Sequence, residues 1–356
     1  MKNEPELPID LYRPIVRHLS PVEDTKTLLS VALTSKTFHQ EAIQLLYHTL
    51  RLVWVPVTTQ KKCLRTLSHS PKCADLVFTF TFTQGEDPYG RRCEEGDEYW
   101  EFLAAGLRAL KNVTTLGFPI GLPDFAPSIL LPLCSMPNLT LFMWPVLSGG
   151  DGLIPFFERH PNIRQMRLFW GNNPDPLLRN PHILPRLDRI CGGTSALNAL
   201  LPNRKVPYVE WIGEAVRHAP SHPFLESLQD VRSLTLGGYG RPWGVFLPDV
   251  APYLQNLIDL LITESKVEDD LVNQIAHLPR LRCLAFTWIH GDQPDIEQLF
   301  WAGTRTLEVI AVRSGGEGFQ EYRPRWVENA GGIQLHVSLE SMGHDWELNY
   351  ESTEDM

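Results

Sequence analysis

From residue 110 onward one four-residue pattern keeps returning, and it restricts the possible folds more than any other feature of the chain. It reads LKNV (Leu110 to Val113), MPNL (Met136 to Leu139), HPNI (His160 to Ile163), LPRL (Leu184 to Leu187), LQDV (Leu228 to Val231), LQNL (Leu254 to Leu257) and LPRL (Leu278 to Leu281). Thr304 to Leu307 extends the series. The last residues of these tetrads step by 26, 24, 24, 44, 26, 24 and 26. A fixed period in the twenties marks a solenoid, in which each unit stacks on the next. The step of 44 then holds two repeats, with the degenerate one expected around Val206 to Trp211.

Apolar residues follow three and usually five positions after each tetrad. The pairs are Leu116 and Phe118, Phe142 and Trp144, Met166 and Leu168, Leu234 and Leu236, Leu260 and Ile262, Leu284 and Phe286, and Ile310 and Val312. Alternation of this kind sets a short strand with one face inward. Leu153 to Phe157 and Val267 to Ala276 have the apolar spacing of helices. The L-x-x-L-x-x-L-x-L form resembles leucine-rich repeats, without the asparagine ladder of the regular ones. The resemblance implies an α/β solenoid with a curved sheet of roughly ten parallel strands across residues 47–340. Tyr47, Leu50 and Leu52 read as its first strand, in phase with Cys73, Leu76 and Phe78 at a step of 26. Ile333, Leu335 and Val337 alternate as its closing strand. The polar run from Gly85 to Glu101 reads as a surface loop.

The first fifty residues follow a different rhythm. Leu7, Leu11, Ile15 and Leu19 fall at helical spacing, and Leu28, Leu29 and Val31 mark a second apolar face. Ser35 is placed to cap a third helix running through Phe38, Ala42, Ile43 and Leu46. So small a unit buries too little surface to stand alone, so it leans on the rest of the chain or on a partner. Pro14 is tolerable if its helix begins near Arg13.

This stretch resembles an F-box. Leu7-Pro8, Asp10, Leu11, Ile15 and Leu19 match the family's opening. Leu33, Ser35 and Lys36 match its close, with Thr34 in place of valine and Phe38 in place of tryptophan. The resemblance implies docking on a Skp1-like adaptor, which joins the chain to a cullin. It implies that the contact is made by Leu7, Pro8, Leu11, Ile15, Leu19, Leu28, Leu33 and Phe38. The expected organisation is an F-box over residues 1–46, a leucine-rich-repeat-like solenoid over 47–342, and an acidic tail over 343–356. That tail has five acidic residues and no Lys or Arg.

Composition narrows the function classes. The net charge is -10, which lacks the basic field that phosphate backbones require, so no nucleic-acid partner is expected. No apolar run approaches bilayer length, and the N-terminus lacks a secretory signal, so an intracellular location, cytoplasmic or nuclear, is expected and no membrane partner. The six cysteines contain no C-x-x-C pair, so they read as free thiols in a reducing compartment. No phosphate-cradling loop, nucleophile elbow or H-E-x-x-H zinc motif is present. Gly237 to Gly240 and Gly315 to Gly318 read as turns. His160 reads as a satisfied structural histidine. His218 and His222 are separated by Pro220, which breaks the helix that would align them. No metal, cofactor or catalytic residue is assigned.

The strand phase also names an open face. It carries Leu141 and Met143, then Gln165, Arg167 and Phe169, then Asp259, Leu261 and Thr263, then Cys283, Ala285 and Thr287, then Val309, Ala311 and Arg313. With Trp170 and Trp288 just beyond their strands, the expected substrate-binding residues are Arg167, Phe169, Trp170, Thr287, Trp288 and Arg313, since aromatics and arginine dominate binding hot spots. Folding over the solenoid edge as core is an equal reading for each tryptophan taken singly. An F-box followed by irregular leucine-rich repeats resembles the substrate-recognition subunit of a cullin–RING ubiquitin ligase, which makes no bonds itself. A non-ligase F-box scaffold is the alternative, and an enzyme with a dispersed site in the groove is a third.

Overall fold

The computed structural model describes residues 9–21, 24–52, 55–82, 97–118, 130–146, 153–170, 179–212, 220–237, 247–263, 273, 275–288, 296, 299–300, 306–314, 319–326 and 333–338. The chain divides into two compact units, residues 1–169 with 182–186, and residues 170–181 with 187–356.

The first unit opens with three helices, α1 (Ile9–Arg17), α2 (Thr25–Ala32) and α3 (Lys36–His48). Ser35 caps α3 as its residue type foretells, its hydroxyl accepting the Phe38 N–H at 3.2 Å. Val16, Leu28, Ala32 and Ala42 form the buried centre, and Leu19, Val31, Phe38, Leu45 and Leu46 pack around it. Pro14 lies inside α1 rather than in its first turn. It removes one backbone bond from a short helix. Packing of Val16 and a two-pronged bond from Arg13 to Glu41 on α3 (2.9 and 3.2 Å) hold α1 in place.

The helices run directly into the repeats. Strand β1 (Thr49–Leu52) follows α3 without a break, and His48 stacks on Phe78 at 5.0 Å. Then come α4 (Val57–His69), α5 (Pro71–Ala74), β2 (Thr79–Phe82), α6 (Asp97–Ala109), β3 (Thr115–Gly117), β4 (Leu141–Val146), α7 (Leu153–Arg159) and β5 (Gln165–Trp170). Strands β1 to β4 pair in parallel, in chain order. Buried Gln60 on α4 bonds the Leu52 and Val55 carbonyls and the Tyr99 hydroxyl on α6, closing the first repeat.

Two expectations here are corrected. Leu50 and Leu52 pair with Phe80 and Phe82, not with Leu76 and Phe78. Proline at the head of α5 starts a helical turn that takes up Cys73 and delays the strand. The run expected to be a loop up to Glu101 enters α6 at Asp97, because Tyr99, Trp100, Leu103 and Leu107 supply a buried helical face. Residues 85–96 of that run lie outside the described residues.

The second unit continues with β6 (Arg189–Gly192), α8 (Thr194–Leu200), β7 (Tyr208–Ile212), α9 (His222–Ser227), β8 (Ser233–Gly237), α10 (Leu247–Val250), β9 (Asp259–Ile262), β10 (Cys283–Trp288), β11 (Val309–Ser314), β12 (Phe319–Trp326) and β13 (Ile333–Ser338). Strands β6 to β11 are parallel neighbours. The degenerate repeat expected around Val206 to Trp211 is β7, with Val209 and Trp211 buried. The closing strand at Ile333 exists but is antiparallel, reached through β12, which also runs antiparallel to β11.

The inward phase holds throughout: Leu116, Phe118, Phe142, Trp144, Met166, Leu168, Leu234, Leu236, Leu260, Ile262, Leu284, Phe286, Ile310 and Val312 are all buried. The third tetrad position builds a polar ladder along the turns. Asn112 donates to the Asp75 carbonyl at 2.8 Å, Asn162 to Pro137 at 3.1 Å, and Asn256 to Gln229 at 2.8 Å. One repeat later an arginine bonds the same amide: Arg186 to Asn162 at 2.8 Å, and Arg280 to Asn256 at 2.7 Å.

Candidate protein-docking face

Four large apolar side chains of the helical unit face water although its core is complete without them. Leu11 is 46% exposed, Ile15 45%, Leu29 51% and Leu33 86%. They form two pairs at helical i,i+4 spacing, one on α1 and one at the end of α2. The inward residues of the same helices are different ones. Val16 and Leu28 are fully buried, and Tyr12 meets Phe38 edge-on at 4.4 Å. Each helix is therefore apolar on two sides, and a helix apolar beyond its core stripe has a second surface to cover.

The residues expected to contact an adaptor fall into three groups. Leu11, Ile15 and Leu33 are on the outer surface. Leu19 and Phe38 are half-buried against the helical core, and Leu28 is wholly inside it. Leu28 therefore supports the face from beneath and has no surface to offer a partner. Leu7 and Pro8 lie outside the described residues. Leu29 was not among the expected contacts. Its signal in the sequence is its position four residues before Leu33.

The residues expected to hold a substrate are distributed differently. Arg167 lies on β5 of the first unit, half-buried and opposite in phase to Met166 and Leu168. Thr287 and Arg313, both half-buried, are direct cross-strand partners in the second unit. The side chains of Phe169, Trp170 and Trp288 lie outside the described residues, although their backbones close β5 and β10. The open face is not uniformly open. Leu261, Ala285 and Ala311 form a buried apolar cluster on it, with Val309 packed alongside, and Thr263 is buried too.

The arginines that tie backbone carbonyls read as structural, Arg159 from the surface and Arg204 from the interior. Arg159 bonds the carbonyls of Pro132, Cys134, Leu131 and Pro155. Arg204 donates to Leu200 at 2.7 Å and Asn180 at 2.6 Å, and burial pulls its pKa down to about 10. Burial pushes the Cys134 thiol up to about 12, far from the thiolate a nucleophile needs. His222 faces Glu226 at 3.4 Å on exposed α9, and His218 lies outside the described residues. Among the described residues no cluster of side chains is arranged to hold a metal ion, and no helix is long and apolar enough to cross a membrane.

No protein-family model and no curated protein matches the chain. Among solved structures it is similar to human 5T4, a trophoblast glycoprotein also titled Wnt-activated inhibitory factor 1. The identity is 15% and the TM-score 0.32, covering 50% of this chain and 71% of that one. Nothing about function transfers across so distant a likeness, and the residues themselves carry the functional reading.

Proposed function

We propose that this chain is the substrate-recruiting subunit of a Skp1–cullin–F-box type ubiquitin ligase. Helices α1 to α3 act as the F-box and dock on a Skp1-like adaptor. The strand–helix repeats act as an irregular leucine-rich-repeat solenoid that holds a substrate protein. The subunit makes no bonds. It raises the concentration of substrate lysines near a charged conjugating enzyme.

The observation that carries this reading is the pair of exposed apolar stripes, Leu11 with Ile15 and Leu29 with Leu33, on helices whose core is already full. Fully burying one such side chain is worth roughly 1.5–3 kcal/mol, so a partner covering this face gains substantially. The F-box-like order of residues from Asp10 to Phe38 names the partner class.

The experiment is co-expression with a Skp1-like adaptor and a cullin, followed by purification through this chain. Recovery of both supports the ligase role. Recovery of the adaptor without the cullin favours the non-ligase scaffold instead. Recovery of neither removes the proposal. Substrate capture by the repeats is tested with Trp170→Ala and Trp288→Ala combined, which should weaken capture and spare the adaptor.

A further inference from the structure

Side chains on the open face of the second unit fall into straight rows, because its parallel strands are in register. One row runs Arg189, Tyr208, Ser233, Asp259, Cys283, Val309, and the next runs Cys191, Glu210, Thr235, Leu261, Ala285, Ala311. Toward β11 the second row is closed by the buried cluster of Leu261, Ala285 and Ala311. At β6 and β7 the face carries polar side chains, around a buried Cys191. Tyr208 is 44% exposed, while its neighbours Val209 and Trp211 are buried on the opposite side. The guanidinium of Arg189 lies over the Tyr208 ring, 5.1 Å from its centre. Glu210 stands two residues further along on the same face, half-buried.

Arg189 and Glu210 are diagonal neighbours on adjacent strands, a spacing that long side chains span. They do not pair. Among the described residues neither has an ion-pair partner. The guanidinium lies over the ring instead, and a guanidinium on an aromatic face keeps the capacity to donate its N–H groups to a carboxylate. The surface therefore presents a fixed cation, an exposed aromatic ring and an uncompensated carboxylate within two adjacent strands. A partner of complementary charge needs an anion and a cation at similar spacing, with an apolar stem to lie on the ring. An extended peptide places alternate side chains on one side at that scale.

We propose that Arg189, Tyr208 and Glu210 form a recognition point for an extended segment of a partner protein in which an acidic residue stands two positions from a basic one. The acid meets Arg189, the base meets Glu210, and the stem of the basic residue lies against the part of the Tyr208 ring that Arg189 leaves exposed. This rests on the repeats being a protein-binding surface and is independent of the adaptor.

The test uses the full chain alone and four synthetic Gly-Ser peptides. One carries Asp and Lys two positions apart, one Asp only, one Lys only and one neither. Binding is read from line broadening in peptide-observed NMR. The Asp–Lys peptide should bind about tenfold tighter than the other three. Tyr208→Ala should reduce that binding about fivefold, and Arg189→Glu should shift preference to the Lys-only peptide, with thermal melting showing both variants folded. Equal binding of all four peptides, or a preference unchanged by Arg189→Glu, overturns the proposal. Because no adaptor is present, this assay and the co-purification fail separately.

Discussion

Nε2 of His160 accepts the backbone N–H of Met136 at 3.0 Å, across one full repeat. A backbone N–H can only donate, so this bond fixes the tautomer. Nδ1 carries the proton and donates to the Phe156 carbonyl at 2.7 Å. The histidine replaces the leucine that opens most other tetrads and turns a packing position into a bridge between repeats.

Burial lowers the His160 pKa from its ordinary 6.5, and neighbouring Arg159 lowers it further, against the raising effect of the Phe156 bond. The unfolded chain therefore takes up a proton at this site before the folded one does. The stabilisation from His160 is complete above about pH 6.5 and is lost as pH falls through that value toward the lowered folded pKa. Urea unfolding between about pH 7.5 and pH 5 should show stability falling with acid in the native chain. His160→Leu leaves the Met136 N–H without its partner, costs roughly 1–3 kcal/mol at neutral pH, and flattens this part of the pH dependence. Parallel pH curves for the two proteins would contradict the assignment.

Leu28 of α2 and Leu33 at its C-terminal cap should respond in opposite ways. Leu28 is fully buried in the helical core, and Leu33 is the most exposed of the large apolar residues among the described residues. Leu28→Ala should cost about 2–5 kcal/mol, and Leu33→Ala no more than about 0.5 kcal/mol. Chemical denaturation of the two variants decides the matter. Equal losses would mean that the inner and outer faces are misassigned.

The turn ladder makes a quantitative claim of its own. Asn256 bonds both the Gln229 carbonyl and the Arg280 guanidinium. Asn256→Ala should cost about 1 kcal/mol, and a double-mutant cycle with Arg280→Ala should return a coupling of about 0.5 kcal/mol. Strict additivity would show that the Asn256 and Arg280 side chains are not energetically coupled.

Much of the repeat architecture was legible because burial imposes it. A strand with one face on a core must alternate, so residues three and five beyond the tetrads could be placed inward from spacing alone, whereas the degenerate repeat could be located but its buried residues, Val209 and Trp211, could not be named. What spacing could not give was strand direction or local delay. Ile333, Leu335 and Val337 alternate equally well in either orientation, and β12 was hidden because Glu321, Arg323, Pro324 and Arg325 look like a loop. Cys73, Leu76 and Phe78 mimic the strand phase, but α5 intervenes and Val77 is the true inward residue before Phe80. The exposed apolar face of the helical unit was half legible. Helical spacing separates Leu11 from Val16, but Leu28 and Leu29 are identical in type, and only packing against α3 decides which faces inward. The Arg189 and Tyr208 pair was invisible, since it depends on two strands nineteen residues apart lying in register.

The outward apolar stripes of the helical unit are proposed as its adaptor-binding surface. Isothermal titration of a purified Skp1-like adaptor into the full chain, with native residues and with Ile15→Asp plus Leu33→Asp, tests it most directly. Both residues are exposed, so circular dichroism should be unchanged while affinity falls by about 3 kcal/mol or more, on the order of a hundredfold in Kd. Unchanged affinity in a folded double variant, or no binding by the native chain, would contradict it.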